Sequence, residues 1–245
     1  MSRRLYSIDD TRPFPISRSK IELAIECPRC FYLDCVCGVK RVDMPPFSLN
    51  LAVDELLKRE FDIHRVNATH HPLQIAYKIP LKPWQDERIN EWRQNFVGIR
   101  YVDEETNLEV FGAVDDIWCD DDNKIYVVDY KATAQEYEIH ESYQLYPSYG
   151  RQVEIYQWLL RHHYHSVSST AWFVYCNGKI NAPSFDGRIE FDVKLIPYEG
   201  DESWVQEALR LCKRILNSPK IPAAEEKCAW CKYRKNVGDA IAKFF

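Results

Sequence analysis

The 245-residue sequence is short of long apolar runs, of glycine and of excess positive charge. No run approaches the roughly 18 apolar residues of a membrane-spanning helix, so we expect no membrane partner. The eight glycines exclude a collagen-like chain, and no repeat or low-complexity tract is present. The opening stretch, MSRRLYSIDDTRPFPIS, lacks the apolar segment of a secretory signal, which predicts a cytoplasmic protein.

The charge balance is mildly acidic, with 37 acidic against 32 basic residues and a net charge of −5. This balance argues against a protein held on nucleic acid by bulk positive charge. It remains compatible with a nuclease, because a metal site concentrates acids locally while basic residues line a groove. Hydrophobic residues make up 46% of the chain, which is enough to fill the core of one domain over residues 1–245.

Hydrophobic periodicity predicts a mixed α/β domain without an obvious linker. The predicted helices are 17–33, 49–62, 149–163 and 202–218, with a short one near 87–96. The predicted strands are 96–103, 108–118, 124–133, 170–178 and 188–197. Acidic turns separate the first three strands, which we therefore interpret as an antiparallel meander. In the helix over 49–62, one apolar stripe joins Val53, Leu56, Leu57 and Phe61.

The stretch FGAVDDIWCDDDNKIYVVDYKATA, residues 111–134, places charges inside apolar strands. Asp129 and Lys131 are two residues apart, so an extended strand points both to one face. If the meander closes as a hairpin, Asp115 reaches the same face. A buried charge is costly unless it is paired or binds a metal. The alternative is a surface Asp–Lys pair on an edge strand, with Asp115 and Asp116 in a bend.

Converging carboxylates suit a hydrolytic metal site. Hard oxygen ligands hold Mg²⁺ or Mn²⁺, and such an ion lowers the pKa of water and neutralises charge that builds on a phosphoryl oxygen. Lys131 beside the ion would orient or help deprotonate the water, or stabilise the transition state.

Three segments, GAVDDI, VVDYKAT and QVEIY, resemble the PD-(D/E)XK nuclease superfamily, and in particular its RecB-like branch. That branch shows a G-x-x-D strand, a D/E-x-K strand and a helix bearing Q-x-x-x-Y. The stretch SRSKIELAIECPRCFYL is similar to the opening of CRISPR-adaptation exonucleases and of AddB-type helicase–nuclease subunits. The resemblance implies a restriction-endonuclease-like αβββαβ core with a mixed sheet, over about residues 49–200.

The resemblance also implies roles for individual residues. Lys131 would be the catalytic lysine, and Gln152 with Tyr156, one helical turn apart, would steady it or contact DNA. Asp115 and Asp129 would be metal ligands, with the backbone carbonyl of Tyr130 as a third.

The RecB-like branch usually places a histidine ligand on the first core helix, and this sequence departs from that pattern. The nearest equivalent is Asp54, which would ligate Mg²⁺ or Mn²⁺ in its place. The alternative for Asp54 is a solvated helix flank. In that case the site lacks a ligand and the enzyme is weak or inactive.

Two C-x-x-C pairs, Cys27 with Cys30 and Cys228 with Cys231, stand near the two ends of the chain. Four thiolates suit a tetrahedral Zn²⁺ or an iron–sulfur cluster, and would clasp segment 19–37 to segment 218–237. The family resemblance implies a [4Fe–4S] cluster, whereas the two-plus-two pattern departs from the family and favours zinc. We expect the cluster, with structural Zn²⁺ as the alternative and four unrelated buried thiols as the third possibility.

The aromatic residues Tyr143, Tyr146, Tyr149, Tyr156 and Trp158 crowd the region of the Q-x-x-x-Y motif, where they would stack unpaired bases or pack in the core. Altogether we expect a metal-dependent nuclease that hydrolyses phosphodiester bonds in DNA, on single strands or free ends. Its setting would be CRISPR adaptation, recombination or repair, together with protein partners. The alternative is a weak or inactive nucleic-acid-binding subunit of such an assembly. The sequence does not distinguish an RNA-directed nuclease from the DNA nuclease.

Overall fold

The computed structural model describes residues 4–42, 45, 47–140 and 144–244, which fall into two compact units. The first unit comprises Met1–Met44, Tyr101–Phe111 and Ser203–Phe245, and the second comprises Pro45–Arg100 and Gly112–Glu202. Both predicted clasp segments lie in the first unit. The predicted core over 49–200 lies in the second, apart from residues 101–111. The sequence predicts one domain over residues 1–245, and this prediction is not tested by the division into two units.

The described residues form eight helices and eight strands. The helices are α1 (Arg18–Glu26), α2 (Pro28–Cys35), α3 (Ser48–Val66), α4 (Pro72–Ala76), α5 (Ile89–Trp92), α6 (Pro147–Arg161), α7 (Val205–Leu216) and α8 (Ala229–Ile241). The strands are β1 (Phe14–Ser17), β2 (Lys82–Pro83), β3 (Ile99–Asp103), β4 (Leu108–Gly112), β5 (Asp116–Cys119), β6 (Ile125–Thr133), β7 (Thr170–Gly178) and β8 (Phe191–Glu199). In this part of the chain no helix is both long and apolar enough to cross a membrane.

The second unit is built on a five-stranded sheet in the order β2-β5-β6-β7-β8. The β5–β6 and β7–β8 pairs are antiparallel, whereas β6 and β7 are parallel. The sheet is therefore mixed, and the predicted mixed α/β class is confirmed. Helix α3 packs Leu57 and Phe61 against β6 residues Val128 and Tyr130 in a core that also buries Trp118.

The first unit contains a three-stranded sheet in the order β1-β4-β3, with β1 parallel to β4. Helix α7 packs against α1 and α2, and its apolar stripe is buried as the sequence predicts. The first predicted helix, over 17–33, is two helices. Cys27 takes an extended backbone conformation (φ −162°) between them, and Pro28 starts α2, where the missing N–H of proline costs nothing.

The predicted strand over 108–118 is also broken, at residues 113–115. Its first half, β4, joins the three-stranded sheet, and its second half, β5, joins the five-stranded sheet. The Val114 N–H donates to the carbonyl of Trp92 at 3.2 Å, and the Arg93 side chain donates to the carbonyl of Asp115 at 3.0 Å. The backbone of this segment therefore forms hydrogen bonds with the last residue of α5 and the residue after it, and not with a neighbouring strand. The expected three-stranded antiparallel meander is therefore wrong, although β5 and β6 do pair as expected.

Candidate active site

Strand β6 places Asp129 and Lys131 on one face of the five-stranded sheet. Asp129 is fully buried, and the Lys131 ammonium forms an ion pair with its Oδ2 atom. Tyr130, between them, points to the other face, because successive strand residues alternate. Since β6 lies between β5 and β7, the alternative of a surface Asp–Lys pair on an edge strand is wrong.

Asp115 comes to the same place from the break before β5. Its Oδ2 atom accepts a hydrogen bond from the Tyr130 backbone N–H at 2.8 Å. Burial, and then the negative charge of Asp129, raise the pKa of Asp115 to about 7, against the opposing effect of Lys131. The charge of Asp54 raises this pKa further. Asp129 and Asp54 therefore both lie close enough to Asp115 to repel its carboxylate.

This carboxylate set fits a divalent cation. Both oxygens of Asp129 are buried, and Oδ1 meets no hydrogen-bond donor among the described residues. A buried oxygen without a donor is costly, as is the repulsion between Asp115 and Asp129. A hard cation between them would relieve both costs.

Asp54, the predicted substitute for the histidine ligand, also interacts with a lysine. Its carboxylate forms an ion pair with Lys58, one turn further along α3, at 2.7 Å, and it is partly exposed. Metal ligation by Asp54, and by the carbonyl of Tyr130, stays a prediction.

Gln152 and Tyr156 on α6 form a chain of hydrogen bonds that begins at Lys131. The Lys131 ammonium donates to Gln152 Oε1 at 3.2 Å, and Gln152 Nε2 donates to the Tyr156 hydroxyl at 3.2 Å. The ring of Tyr149 lies 4.5 Å from the Lys131 Nζ atom, a cation–π contact. Sequence reasoning did not find Tyr149 as a partner of the lysine. The available signal was its position three residues before Gln152, on the same helix face.

The other aromatic residues of this region divide between surface and core. Tyr146 is 56% exposed, whereas Tyr156 and Trp158 are buried. Tyr143 lies outside the described residues.

Sequence reasoning also missed a buried network on the opposite side of β6. Asp116 is fully buried and accepts hydrogen bonds from the Tyr130 hydroxyl at 2.8 Å, from Arg93 at 3.0 Å and from Arg65. Both arginines also pair with Asp62. Burial lowers the pKa of Arg93, but Asp116 and Asp62 outweigh this effect and hold that pKa above its ordinary value.

The four cysteines of the two C-x-x-C pairs meet in the first unit. The distances Cys27–Cys231, Cys30–Cys228 and Cys30–Cys231 are 3.7, 3.6 and 3.6 Å between Sγ atoms, and all four atoms lie within 4.8 Å of one another. All four are buried free thiols. This group could therefore hold a metal ion, and the interpretation as four unrelated thiols is wrong.

Two arginines supply positive charge beside these sulfurs. Arg41 donates to Cys228 Sγ at 3.7 Å, and Arg234 donates to Cys30 Sγ at 3.5 Å. Burial raises the pKa of Cys228, but hydrogen bonds from the Cys231 backbone and the neighbouring thiols outweigh it and lower that pKa to about 7. Burial instead raises the pKa values of Cys30 and Cys231. A metal bound to all four sulfurs would hold them as thiolates, the form that binds metal.

The sulfur spacing tests which metal group fits. A single tetrahedral ion with Zn–S bonds of about 2.3 Å places its sulfurs about 3.8 Å apart, close to the three distances above. A cubane cluster spreads its four cysteine sulfurs more widely, because each thiolate binds a different iron. These three distances are close to those around one tetrahedral ion, and the choice between structural Zn²⁺ and the expected [4Fe–4S] cluster stays a prediction.

Comparisons with known proteins bear on the whole chain. None of the curated proteins matches it. Among solved structures, a Eubacterium rectale protein described as a "Putative exonuclease" is similar, with 14% identity, a TM-score of 0.47, and coverage of 95% of this chain and 94% of that one. A protein designated SSO0001 shows 14% identity and a TM-score of 0.41 over 89% of this chain and 82% of that one.

A family profile also matches most of the chain. The profile of the PD-(D/E)XK nuclease superfamily matches residues 15–235. That range spans both C-x-x-C pairs and every residue of the candidate active site. The chain belongs to the PD-(D/E)XK nuclease superfamily.

Proposed function

We propose that this protein is a divalent-metal-dependent deoxyribonuclease that hydrolyses phosphodiester bonds in single-stranded DNA or at DNA ends. The observation that carries the proposal is the buried carboxylate of Asp129, which lies beside Asp115 and Lys131 with an oxygen that meets no donor among the described residues. A purely structural carboxylate at this depth would be expected to have its hydrogen bonds satisfied.

In this proposal Asp115 and Asp129 hold Mg²⁺ or Mn²⁺, with Asp54 and the Tyr130 carbonyl as further ligands. When bound, the ion would make water more acidic and neutralise charge that builds on the phosphate. Lys131 would orient the water or donate a hydrogen bond to a phosphoryl oxygen, where negative charge increases in the transition state.

The remaining residues keep the lysine in place. Gln152 accepts one of the Lys131 hydrogen bonds, and Tyr156 anchors Gln152 in turn. The Tyr149 ring restricts the ammonium from another side. A lysine restrained in this way loses less conformational freedom when it meets the phosphate.

A cavity next to the site supports a single-stranded substrate. It has a volume of about 880 Å³ and is lined by Thr133, two residues after Lys131, and by Phe47, Tyr149, Phe185 and Phe191. An aromatic lining suits unpaired bases, which stack on rings without regard to sequence. Bases in a duplex are already stacked and paired, so they would have to leave the helix to enter.

The second candidate function is a weak or inactive nucleic-acid-binding subunit of an assembly for CRISPR adaptation, recombination or repair. The partly exposed Asp54, which pairs with Lys58 on its own helix, favours it, because a site without Asp54 would lack the ligand expected in place of the usual histidine. The burial of Asp129 beside Lys131 favours the enzyme instead, and we place it first.

For the cysteine group we propose one structural Zn²⁺ in place of the expected [4Fe–4S] cluster. The support is the spacing of 3.6–3.7 Å between paired Sγ atoms. Arg41 and Arg234 would offset part of the net negative charge of a zinc–tetrathiolate group.

One experiment tests the nuclease proposal. End-labelled single-stranded and double-stranded DNA would be incubated with Mn²⁺ or Mg²⁺ and with wild-type protein, Asp129→Ala or Lys131→Ala. We expect metal-dependent cutting of single strands by the wild type and none by the variants, with unchanged circular dichroism. Cutting by Lys131→Ala at the wild-type rate would reject the mechanism. Tight DNA binding without cutting by the wild type would support the binding subunit.

A second experiment tests the metal at the cysteines. Protein purified without oxygen would be analysed for iron and zinc and for its visible spectrum. One zinc per chain and a colourless solution are expected. A brown protein with four irons per chain would reject the zinc proposal and support the [4Fe–4S] cluster.

A further inference from the structure

Helix α3 carries two apolar faces, and only one of them is covered. The inner face buries Leu57, Phe61 and Arg65 in the second unit. A second row of side chains, which we call the outer seam, is exposed along the full length of the helix. The outer seam consists of Leu49, Ala52, Leu56, Arg59, Ile63 and Val66.

The outer seam has the spacing of a coiled-coil interface. Its members follow one another at intervals of three and four residues, as the a and d positions of a heptad do. Leu56 and Ile63 are each 61% exposed, and Val66 is 79% exposed. Apolar side chains scattered singly on a surface need no explanation, whereas five exposed apolar side chains in one row, interrupted by Arg59, form a patch that marks an interaction site.

We propose that the outer seam pairs with the outer seam of a second copy of this chain, in antiparallel orientation, to form a homodimer. A two-fold axis at the middle of the seam makes the row complementary to itself. Leu49 would lie opposite the partner's Val66, Ala52 opposite the partner's Ile63, and Leu56 opposite the partner's Arg59. Each layer would thus join an a position to a d position, and one patch would serve both subunits, as two-fold symmetry requires.

The charges select this orientation. In a parallel pair, Arg59 would face the partner's Arg59 inside the interface, and like charges would repel. In the antiparallel pair, Arg59 would lie beside the partner's Leu56 and within reach of the partner's Glu55. Within the described part of this chain, neither Arg59 nor Glu55 forms an ion pair, although both are exposed. A charged residue at one seam position fixes register at some cost in stability.

The first test is sedimentation velocity of the full-length protein across a range of micromolar concentrations. The wild type is expected to sediment as two chains, and the double variant Leu56→Asp/Ile63→Asp as one chain. Ile75→Asp is the matched control, since Ile75 is 64% exposed but lies on α4, outside the outer seam, and it should remain dimeric. A wild type that sediments as a single chain throughout, or a dimer that survives Leu56→Asp/Ile63→Asp, would overturn the proposal.

A charge reversal tests the partner contacts. Arg59→Glu alone should weaken the dimer at least tenfold, because two acidic groups would then meet at the seam. Adding Glu55→Arg should restore dimerisation, since the reversed pair attracts again. A double variant as weak as Arg59→Glu would contradict the antiparallel contact.

Cross-linking tests the register. In a background with the exposed Cys37 changed to serine, Ala52→Cys/Ile63→Cys is expected to form covalent dimers under mild oxidation. Ala52→Cys alone is expected to form none, because the two copies of residue 52 lie far apart along the antiparallel helices. Efficient cross-linking of Ala52→Cys alone would show parallel pairing and reject the proposed orientation.

Discussion

Asp115 and Asp116 are neighbours in the sequence, yet they bind opposite ends of one residue, Tyr130. Asp115 accepts the Tyr130 backbone N–H at 2.8 Å, and Asp116 accepts the Tyr130 hydroxyl at 2.8 Å. The first carboxylate therefore faces Asp129 and the candidate metal position, and the second faces Arg65 and Arg93. Adjacent residues of the chain thus supply one carboxylate to the candidate active site and one to a buried ion-pair network.

The first prediction contrasts these two carboxylates. Asp116→Asn should lower the free energy of unfolding by about 3 kcal/mol, because it removes the buried carboxylate of two buried arginines and leaves them only the more exposed Asp62. Asp115→Asn should change that free energy by less than about 1 kcal/mol, since it removes a group that Asp129 repels. Urea unfolding followed by circular dichroism measures both.

In cleavage assays Asp115→Asn should have a large effect, although its effect on stability is small. Asp115→Asn is expected to abolish cutting of single-stranded DNA while the protein stays folded. Equal losses of stability in the two variants would contradict the division between the two faces of β6.

The second prediction concerns Arg93, which donates both to the Asp115 carbonyl and to the Asp116 carboxylate. Arg93→Lys keeps the charge but loses the planar fork that makes these contacts together. Because Asp115 is then less firmly placed, the affinity for Mn²⁺ should fall about tenfold. Isothermal titration without DNA measures it.

Arg88 provides the matched control for this variant. It flanks the other end of α5 and pairs with Asp86 at a more exposed position. Arg88→Lys should leave the Mn²⁺ affinity unchanged. An equal loss of affinity in both variants would show a general effect of α5 and not a specific role of Arg93.

The third prediction treats Gln152 and Tyr156 as one unit. Removing one neutral hydrogen bond costs about 1 kcal/mol, or roughly a fivefold loss in rate. Tyr156→Phe should therefore slow cleavage about fivefold, and Gln152→Leu should slow it more, because Gln152 touches the lysine directly. The double variant should be no slower than Gln152→Leu, since Tyr156 acts through Gln152.

Gln157, on the same helix, controls for general damage to α6. Its side chain donates to the carbonyls of Ser168 and Ser169 and not to the candidate site. Gln157→Leu should lower thermal stability while the cleavage rate of the folded protein stays the same. Additive losses in the Gln152→Leu/Tyr156→Phe variant would indicate two independent roles.

Local patterns explain which parts of the fold could be predicted. The α7 stripe is a single clear period, and the spacing of Asp129 and Lys131 on β6 fixes their common face. The two C-x-x-C pairs likewise predict a cysteine site, because each pair lies at the start of a helix, with its first cysteine at the N-cap and its second in the first turn.

Contacts between distant segments explain what could not be predicted. The break at residues 113–115 depends on Trp92 and Arg93, which lie some twenty residues earlier. The stripe predicted for α3 combined Leu57 and Phe61, which are buried, with Leu56, which is 61% exposed. Apolar residues cover more than one side of this helix, and periodicity alone cannot say which side the sheet covers.

The last prediction concerns loss of the metal from the cysteine site. A metal bridging Cys27 and Cys30 to Cys228 and Cys231 closes a loop of about 200 residues, which restricts the unfolded chain. Cys228→Ser, or treatment of the wild type with a zinc chelator, should therefore lower the melting temperature by several degrees. Cys37→Ser should leave it unchanged, because Cys37 is exposed and outside the group. Differential scanning calorimetry with a parallel zinc assay measures both quantities. A wild-type protein whose melting temperature is unaffected when its zinc is removed would show that the cysteines do not stabilise the fold through a metal.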